Sequence, residues 1–165
     1  MIRIRAFEQV HWASVWRILE PVFRAGETYA FSPDISEAEA RHVWSELPAA
    51  TFVALNSEHE VLGTYYIKPN QPALGAHVCN CGYVVAEQTR GRGIVSAMCE
   101  HSQEEARARG FRAMQYNLVV STNEGAIRLW KKHGFAVIGV LPDAFRHARL
   151  GYVDALVMFK RLVDD

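Results

Sequence analysis

The sequence of 165 residues has no excess of either charge, no long apolar run and few cysteines. Lysine plus arginine equals aspartate plus glutamate at 18 each, so the formal net charge is zero. That balance gives no electrostatic footprint for nucleic acid or for an anionic membrane. No apolar run approaches the roughly 20 residues that a membrane-spanning helix needs, and the N-terminus lacks the apolar core of a secretory signal. We therefore expect a cytoplasmic protein without nucleic-acid or membrane partners.

The cysteines are Cys79, Cys81 and Cys99, and an odd number argues against a disulfide framework. Cys79 and Cys81 stand two residues apart in a predicted strand, so their side chains face the same side. A zinc site would show Cys-x-x-Cys or histidine spacing and a second pair elsewhere. We expect reduced thiols that pack in the core or line a pocket, and no metal.

No internal repeat or low-complexity linker divides the chain, and 50% of its residues are hydrophobic, so we expect one domain over residues 1–165. Apolar periodicity predicts seven strands and four helices. The predicted strands are residues 2–7, 51–55, 61–67, 76–86, 113–120, 135–141 and 152–160, and the predicted helices are residues 11–24, 37–47, 94–109 and 123–133.

Local signals mark several ends of these elements. Gly26 is expected to end the first helix, and Ser36 to cap the second. Ser121 and Glu124 form a capping-box pattern before the last helix. The order β-α-α-β-β-β-α-β-α-β-β combines a hairpin with a central parallel crossover. We therefore expect a mixed sheet flanked by helices, in the α/β or α+β class.

The segment from Val84 to Val95 carries the clearest chemical signal, because a strand runs through a loop with two glycines directly into a helix. Glycine lets a ligand approach the backbone closely. The first turn of a helix has unsatisfied N–H groups and the positive end of the helix dipole, which together favour phosphate. Arg90 and Arg92 add positive charge beside Gly91 and Gly93.

Three phosphate ligands fit such a loop in principle. A Walker loop is excluded because it requires a Gly-Lys-Ser/Thr sequence that is missing here. A dinucleotide fingerprint is disfavoured, since Ser96 follows Gly93 and the strand ending at Val120 carries no acidic residue for a ribose. The third interpretation is the pyrophosphate of coenzyme A.

The pattern Gln88-x-x-Gly91-x-Gly93 resembles the signature of the GNAT superfamily of N-acetyltransferases. The later pattern Asn123-x-x-Ala126-x-x-x-Trp130-x-x-x-Gly134-Phe135 is similar to the second motif of that family. The resemblance covers residues 76–160 most strongly. It implies a mixed, mostly antiparallel sheet of about seven strands with a splayed central parallel pair and about four flanking helices. It also implies acetyl-CoA-dependent N-acetyltransferase activity, with a neutral amine attacking the thioester directly.

The resemblance also implies which residues bind acetyl-CoA. The cofactor would lie where strands 76–86 and 113–120 separate, with its pantetheine hydrogen-bonded to the strand backbone near Tyr83 and Val85. A backbone N–H there would polarise the thioester carbonyl, and the loop amides would hold the pyrophosphate. The implied cofactor-binding residues are Tyr83, Val84, Val85, Gln88, Arg90, Gly91, Arg92, Gly93, Ile94 and Asn123.

One position departs from the family pattern. Many members have a tyrosine where Trp130 stands, and that tyrosine protonates the departing thiolate. Indole is a donor only and a very poor acid, so we expect Trp130 to be a core aromatic residue. Water, Tyr83 and Tyr116 are the alternative proton donors, and the sequence selects none of them.

The acceptor side is implied by two narrower resemblances. The run from Tyr116 to Asn123 resembles N-acetyltransferases of proline analogues such as azetidine-2-carboxylate. In those enzymes Asn117 and Asn123 match cofactor-side or active-site asparagines, and Asn80 matches an asparagine on the splayed central strand that faces the substrate. An amide can accept from an amine and donate to a carboxylate. The competing interpretation is that Asn80 and Asn117 satisfy each other or a strand bulge.

The loop over residues 26–31 resembles that of phosphinothricin-type acetyltransferases. There Glu27 would be a base or would bind the substrate amine, and its competing interpretation is a solvated loop carboxylate. Tyr29 and Phe31 would wall the acceptor pocket. Arg146 and His147 are further candidates for meeting a substrate carboxylate.

The favoured function is acetylation of the amine of a small molecule, an amino acid or an analogue. The alternatives are acetylation of a protein N-terminus or lysine, and a non-catalytic acyl-CoA-binding module. The family resemblance also implies a homodimer.

Overall fold

The computed structural model describes residues 1–164 and has the predicted order of strands and long helices. The strands are β1 (Arg3–Ala6), β2 (Ala50–Leu55), β3 (Val61–Pro69), β4 (Val78–Val85), β5 (Ala113–Val120), β6 (Ala136–His147) and β7 (Gly151–Arg161). The helices are α1 (Trp12–Ala25), α2 (Glu37–Arg41), α3 (Ile94–Ala108) and α4 (Glu124–Lys132).

The seven strands form one sheet in the order β1-β2-β3-β4-β5-β7-β6. All neighbours pair antiparallel except β4 and β5, which are parallel. The parallel pairing covers only Val78 with Ala113 and Cys79 with Met114, after which the two strands diverge. The predicted mixed sheet with a splayed central pair is confirmed.

Helices cover both faces of the sheet. Side chains alternate between the two faces along each strand, and apolar side chains on both faces have to be buried. Helices α3 and α4 bury one face, which includes Tyr65, Cys79 and Tyr116. Helices α1 and α2 bury the other face, which includes Tyr66 and Val84. The two surfaces of the β4–β5 opening therefore belong to different layers of the molecule.

Two predicted helix ends are confirmed. Gly26 takes φ 64° after α1, and the Ser36 hydroxyl accepts from the Glu39 amide at 3.1 Å. The second helix, however, ends at Arg41 and continues as a π-helical turn over His42–Glu46.

The capping-box prediction for the last helix is wrong. The N-cap of α4 is Asn123, whose side chain accepts from the Ala126 amide at 3.3 Å. Ser121 lies two residues before the N-cap and directly after β5, where its amide extends the β5–β7 pairing by donating to the Asp154 carbonyl at 2.9 Å.

The sixth strand is longer than predicted and ends at His147 rather than at residue 141. Its pairing with β7 contains register shifts near Val137 and between Leu141 and Phe145, which interrupt the apolar alternation used to find its end. The long hairpin brings the β6–β7 turn to the loop after α1, where the Ala148 amide donates to the Gly26 carbonyl at 3.0 Å.

The three cysteines are buried and unpaired, and Cys79 and Cys81 share the α3/α4 face as predicted. Burial raises the pKa of the Cys81 and Cys99 thiols, which keeps both protonated. Among residues 1–164, no three His, Cys, Asp or Glu side chains are grouped closely enough to hold a metal ion. No helix in that range has the length and apolar character to cross a bilayer.

Candidate active site

A cavity of about 1640 Å³ follows the opening between β4 and β5. It extends from the loop after β4 to the β6–β7 turn, and both helical layers contribute to its wall. Small-ligand pockets commonly measure roughly 300–1,000 Å³. The volume is therefore enough for a large ligand and a second, smaller one.

The loop after β4 leaves its backbone open to a ligand. Gly91 and Gly93 have φ 80° and 77°, a left-handed conformation that favours glycine. A Cβ placed on either glycine would meet no atom within 4 Å. Gly93 is the N-cap of α3 and no side chain caps the helix, so first-turn amides are free to meet an anion. These features fit a pyrophosphate.

Only some of the predicted loop residues line the cavity. Gln88, Arg90 and Gly91 line the cavity, whereas Arg92, Gly93 and Ile94 are not part of its wall. The Arg90 amide already donates to the Glu87 carbonyl at 3.2 Å. The amides available to a phosphate therefore begin after Arg90.

Three aromatic residues border the cavity on the α3/α4 face. The ring of Trp130 lies 5.1 Å from that of Tyr83 and 4.8 Å from that of Tyr116. Trp130 is 8% exposed and packs in the core, which confirms its predicted structural role.

The hydroxyl groups of this cluster form a directed chain. Ser102 donates its only hydrogen to the Cys99 carbonyl at 2.7 Å, so it must accept in its 2.7 Å contact with Tyr83. The Tyr83 hydrogen is thereby used, and the 2.9 Å contact between the two tyrosines is a donation from Tyr116 to Tyr83. Burial raises the pKa of both tyrosines, which keeps them protonated.

The loop after α1 walls the cavity from the opposite layer. Tyr29 and Phe31 both line it, with their rings stacked at 6.1 Å and an interplanar angle of 3°. The Tyr29 hydroxyl donates to the Tyr83 carbonyl at 2.9 Å. This bond ties the loop to β4 where the strands diverge, and it occupies part of the backbone expected to meet pantetheine.

The α1/α2 face of the opening carries a row of amide side chains, here called the amide cluster: Asn70, Asn80, Gln115 and Asn117. The Asn80 side chain donates to the backbone carbonyl of Gln115 at 2.9 Å and so bridges β4 to β5. Gln115 donates to Asn117 at 3.0 Å, and Asn117 donates to Asn70 at 2.6 Å.

These hydrogen bonds bear on the competing interpretation that Asn80 and Asn117 satisfy each other or a strand bulge. They exclude the first possibility and support part of the second. Asn80 and Asn117 do not bond to each other, because Gln115 lies between them. Asn117 does lie in a register shift of β5, between Tyr116 and Val119. Gln115 was not predicted, although its position two residues before Asn117 places both on one strand face.

The far end of the cavity is closed by the β6–β7 turn. Arg149 donates to the Glu27 carboxylate at 3.1 Å, and both residues line the cavity. His147 is buried and accepts the backbone amides of Arg149 and Leu150, so its Nδ1 serves the turn. Arg146 is exposed and is not part of the cavity wall. Arg149 was not predicted, because the expected end of β6 did not place this turn beside Glu27.

Asn123 lines the cavity beside the first turn of α4. Its side-chain oxygen caps the helix by accepting from the Ala126 amide. The NH₂ group of the same amide is a donor pair directed away from that bond. The cap therefore leaves hydrogen-bond donors for a ligand.

Comparison with known proteins agrees with this geometry. The Acetyltransferase (GNAT) family matches residues 12–135. The N-acetyltransferase aca1 of Schizosaccharomyces pombe is 35% identical over 114 residues, which are 68% of this chain and 54% of that protein. The chain thus spans about half the length of this curated relative.

Solved structures show the same fold. A GCN5-related N-acetyltransferase from Kribbella flavida has a TM-score of 0.92 at 39% identity, covering 97% of both chains. A phosphinothricin acetyltransferase from Sinorhizobium meliloti, solved in complex with AcCoA, has a TM-score of 0.82 at 19% identity, covering 97% of this chain and 88% of that chain. On the extent of the family match and the similarity to the Kribbella flavida structure, the chain belongs to the GNAT family of acetyltransferases.

Proposed function

We propose that this chain is an acetyl-CoA-dependent N-acetyltransferase that acts on the amine of a small molecule, an amino acid or an analogue. One observation carries the proposal. The opening between β4 and β5 joins an uncapped, glycine-rich helix start at one end to an amide-lined face at the other. An anionic cofactor and a polar acceptor can therefore meet through one gap in the sheet.

On the cofactor side, the Gly91 amide and the Gln88 and Arg90 side chains hold the pyrophosphate at the cavity wall, and the uncapped amides as far as Ile94 meet it just beyond that wall. Asn123 donates to the pantetheine arm while capping α4. The divergence of β4 from β5 leaves backbone groups of Tyr83, Val84 and Val85 without a partner strand on that side. Acetyl-CoA supplies an acetyl group activated as a thioester.

At the departing sulfur, the hydrogen-bond directions favour Tyr116 over Tyr83 as the proton donor. Ser102 holds the Tyr83 hydrogen, whereas the Tyr116 hydrogen is directed at the Tyr83 hydroxyl, with only a weaker 3.8 Å contact to the Cys99 sulfur, and can turn toward a developing thiolate. A thiolate is a tolerable leaving group, so this donor assists the reaction without being indispensable to it.

On the acceptor side, Asn80 and Asn117 orient the amine. Asn80 uses one amide hydrogen on Gln115 and retains the other, and its oxygen accepts only a 3.4 Å contact from Tyr66. An asparagine is not a strong base at neutral pH, so water or the Glu27 carboxylate removes the amine proton. Tyr29 and Phe31 shape the apolar wall.

The experiment is free-thiol release from acetyl-CoA with a panel of amines, together with calorimetric measurement of CoA affinity. Gly91→Asp places a carboxylate at the phosphate site and should lower CoA affinity by at least about a hundredfold, because like charges meet there. Gly110→Asp is the matched control, since Gly110 also has positive φ and open space but lies at the other end of α3.

Each result has a definite meaning. Equal affinity loss in both variants would trace the effect to backbone strain and refute the loop assignment. Tight CoA binding by the wild-type chain without thiol release on any amine would favour the non-catalytic acyl-CoA-binding module.

A further inference from the structure

Lys68 lies beside the amide cluster on the α1/α2 face of the opening. It pairs directly across β3 and β4 with Asn80, so the two side chains leave the sheet on the same face. Lys68 is half-buried and lines the cavity together with Asn80 and Asn117. Its ammonium group lies 5.3 Å from the centre of the Tyr66 ring.

Lys68 brings a positive charge that the surrounding side chains leave unbalanced. Its neighbours Tyr66 and Asn80 are neutral, and no ion pair of Lys68 occurs within residues 1–164. An aromatic face is a modest partner for a half-exposed ammonium group. The resting contact with Tyr66 can therefore be exchanged for a stronger one.

The other charged residues on the cavity wall do not neutralise it. Glu27 is bonded to Arg149 at 3.1 Å. Glu60 precedes β3 and Glu87 follows β4, whereas Lys68 lies near the end of β3. Along a strand, at about 3.3 Å per residue, Glu60 and Glu87 are each on the order of 20 Å or more from Lys68. Arg17, another cavity-lining cation without an ion pair within residues 1–164, is exposed on α1, whereas Lys68 lies on the sheet directly beside Asn80.

We infer that Lys68 binds a carboxylate of the acceptor, with the free amide hydrogens of Asn80 and Asn117 as its neighbours, so the preferred acceptor is an amine that also carries a carboxylate. This inference rests on the proposed function and narrows its substrate class. An ammonium group and a carboxylate form a charge-assisted hydrogen bond, which is stronger than a neutral one. A polyamine or an amino sugar would instead meet like charge at Lys68.

Arg149 is the competing anchor for a carboxylate. It is more exposed than Glu27, at 69% against 39% side-chain exposure, and its Nε is already bonded to that residue. Its charge is compensated by Glu27, whereas the charge of Lys68 is not. The structure therefore favours Lys68.

The test compares common L-amino acids with their primary amides, which share the amine and lack the negative charge. Acetyl transfer is measured for the wild-type chain, Lys68→Met and Lys68→Arg. Lys132→Met, at the exposed end of α4, is the control for loss of a cation elsewhere. Binding of N-acetyl amino acids and their amides to the CoA-loaded protein is measured by calorimetry, and thermal melting checks that each variant folds.

We expect the wild-type chain and Lys132→Met to prefer the acids over the amides by about ten- to a hundredfold in kcat/KM and in affinity. Lys68→Met should abolish that preference by weakening the acids while leaving the amides nearly unchanged, and Lys68→Arg should retain part of it. A wild-type chain without preference for acids would overturn the inference, as would a preference that survives in Lys68→Met.

The two failures can be told apart. Thiol release with amines regardless of their carboxylate would leave the transferase activity standing and remove the role of Lys68. Selective binding of acids that depends on Lys68, without thiol release on any amine, would support the subsite and refute the activity.

Discussion

The single hydroxyl hydrogen of Tyr83 decides how two neighbouring tyrosines differ. Both residues are tyrosines of the α3/α4 core, and composition cannot separate them. Ser102 accepts from Tyr83 because its own hydrogen goes to the Cys99 carbonyl, so Tyr116 must donate to Tyr83. Tyr116 can therefore redirect its hydrogen while the hydrogen bond from Tyr83 to Ser102 stays intact.

This asymmetry gives a prediction for the departing thiolate. Tyr116→Phe should lower kcat by about tenfold or more, the lower range of general acid catalysis, with little change in CoA affinity. Tyr83→Phe should change kcat by less than about threefold while costing roughly 1 kcal/mol of stability, since it too loses hydrogen bonds. Steady-state kinetics and urea unfolding of both variants check this. A larger kcat loss in Tyr83→Phe would reverse the assignment.

At the scale of elements, the sequence predicted the helix and strand ends that depend only on nearby residues. Gly26 and Ser36 act within one turn of their own helix, and β5 has the predicted bounds of residues 113 and 120. The end of β6 was missed because register shifts against β7 set it, and the cap of α4 was missed because pairing with Asp154 holds Ser121 in the sheet.

The candidate site also has parts that could be predicted from nearby sequence and parts that depend on the fold. The glycine loop is contiguous in sequence, so it could be proposed as a phosphate site before the fold was known. The links from Asn80 to Gln115 and from Glu27 to Arg149 span 35 and 122 residues, and only the folded chain shows them. Lys68 could have been noticed only once its pairing with Asn80 was known.

Asn123 combines a cap with a proposed ligand contact, and two substitutions separate these roles. Asn123→Asp retains a side-chain cap, whereas Asn123→Ala loses it at a cost of about 1 kcal/mol. If Asn123 also donates to pantetheine, both variants should weaken CoA binding by about tenfold, because neither keeps an amide NH₂. Calorimetric affinity and urea unfolding check this. Undiminished affinity in Asn123→Asp would limit the residue to capping.

At the scale of the whole molecule, the tyrosines connect stability to alkaline pH. Five of the six tyrosines have a pKa raised above the usual value, with burial as the largest cause: Tyr29, Tyr65, Tyr66, Tyr83 and Tyr116. The folded chain therefore keeps protons that the unfolded chain releases near pH 10, at about the usual tyrosine value. This contribution is fully present below that pH and is lost as pH rises above it.

We expect the free energy of unfolding to fall between about pH 8 and pH 11, measured by urea titration at each pH. Tyr65→Phe should reduce that fall by about 1 kcal/mol, because it removes one proton that only the unfolded chain loses in this range. Tyr152→Phe is the control, since Tyr152 is 67% exposed. An identical fall in all three proteins would show that Tyr65 does not contribute to it.

The divergence of β4 from β5 also bears on the order of events during turnover. The glycine loop precedes α3, which packs on one face of the sheet, while Lys68 and Asn80 project from the other. In the proposed enzyme, donor and acceptor would approach from opposite sides and touch only through the gap. Spent coenzyme and acetylated product could then depart by separate exits, so that neither would have to wait for the other.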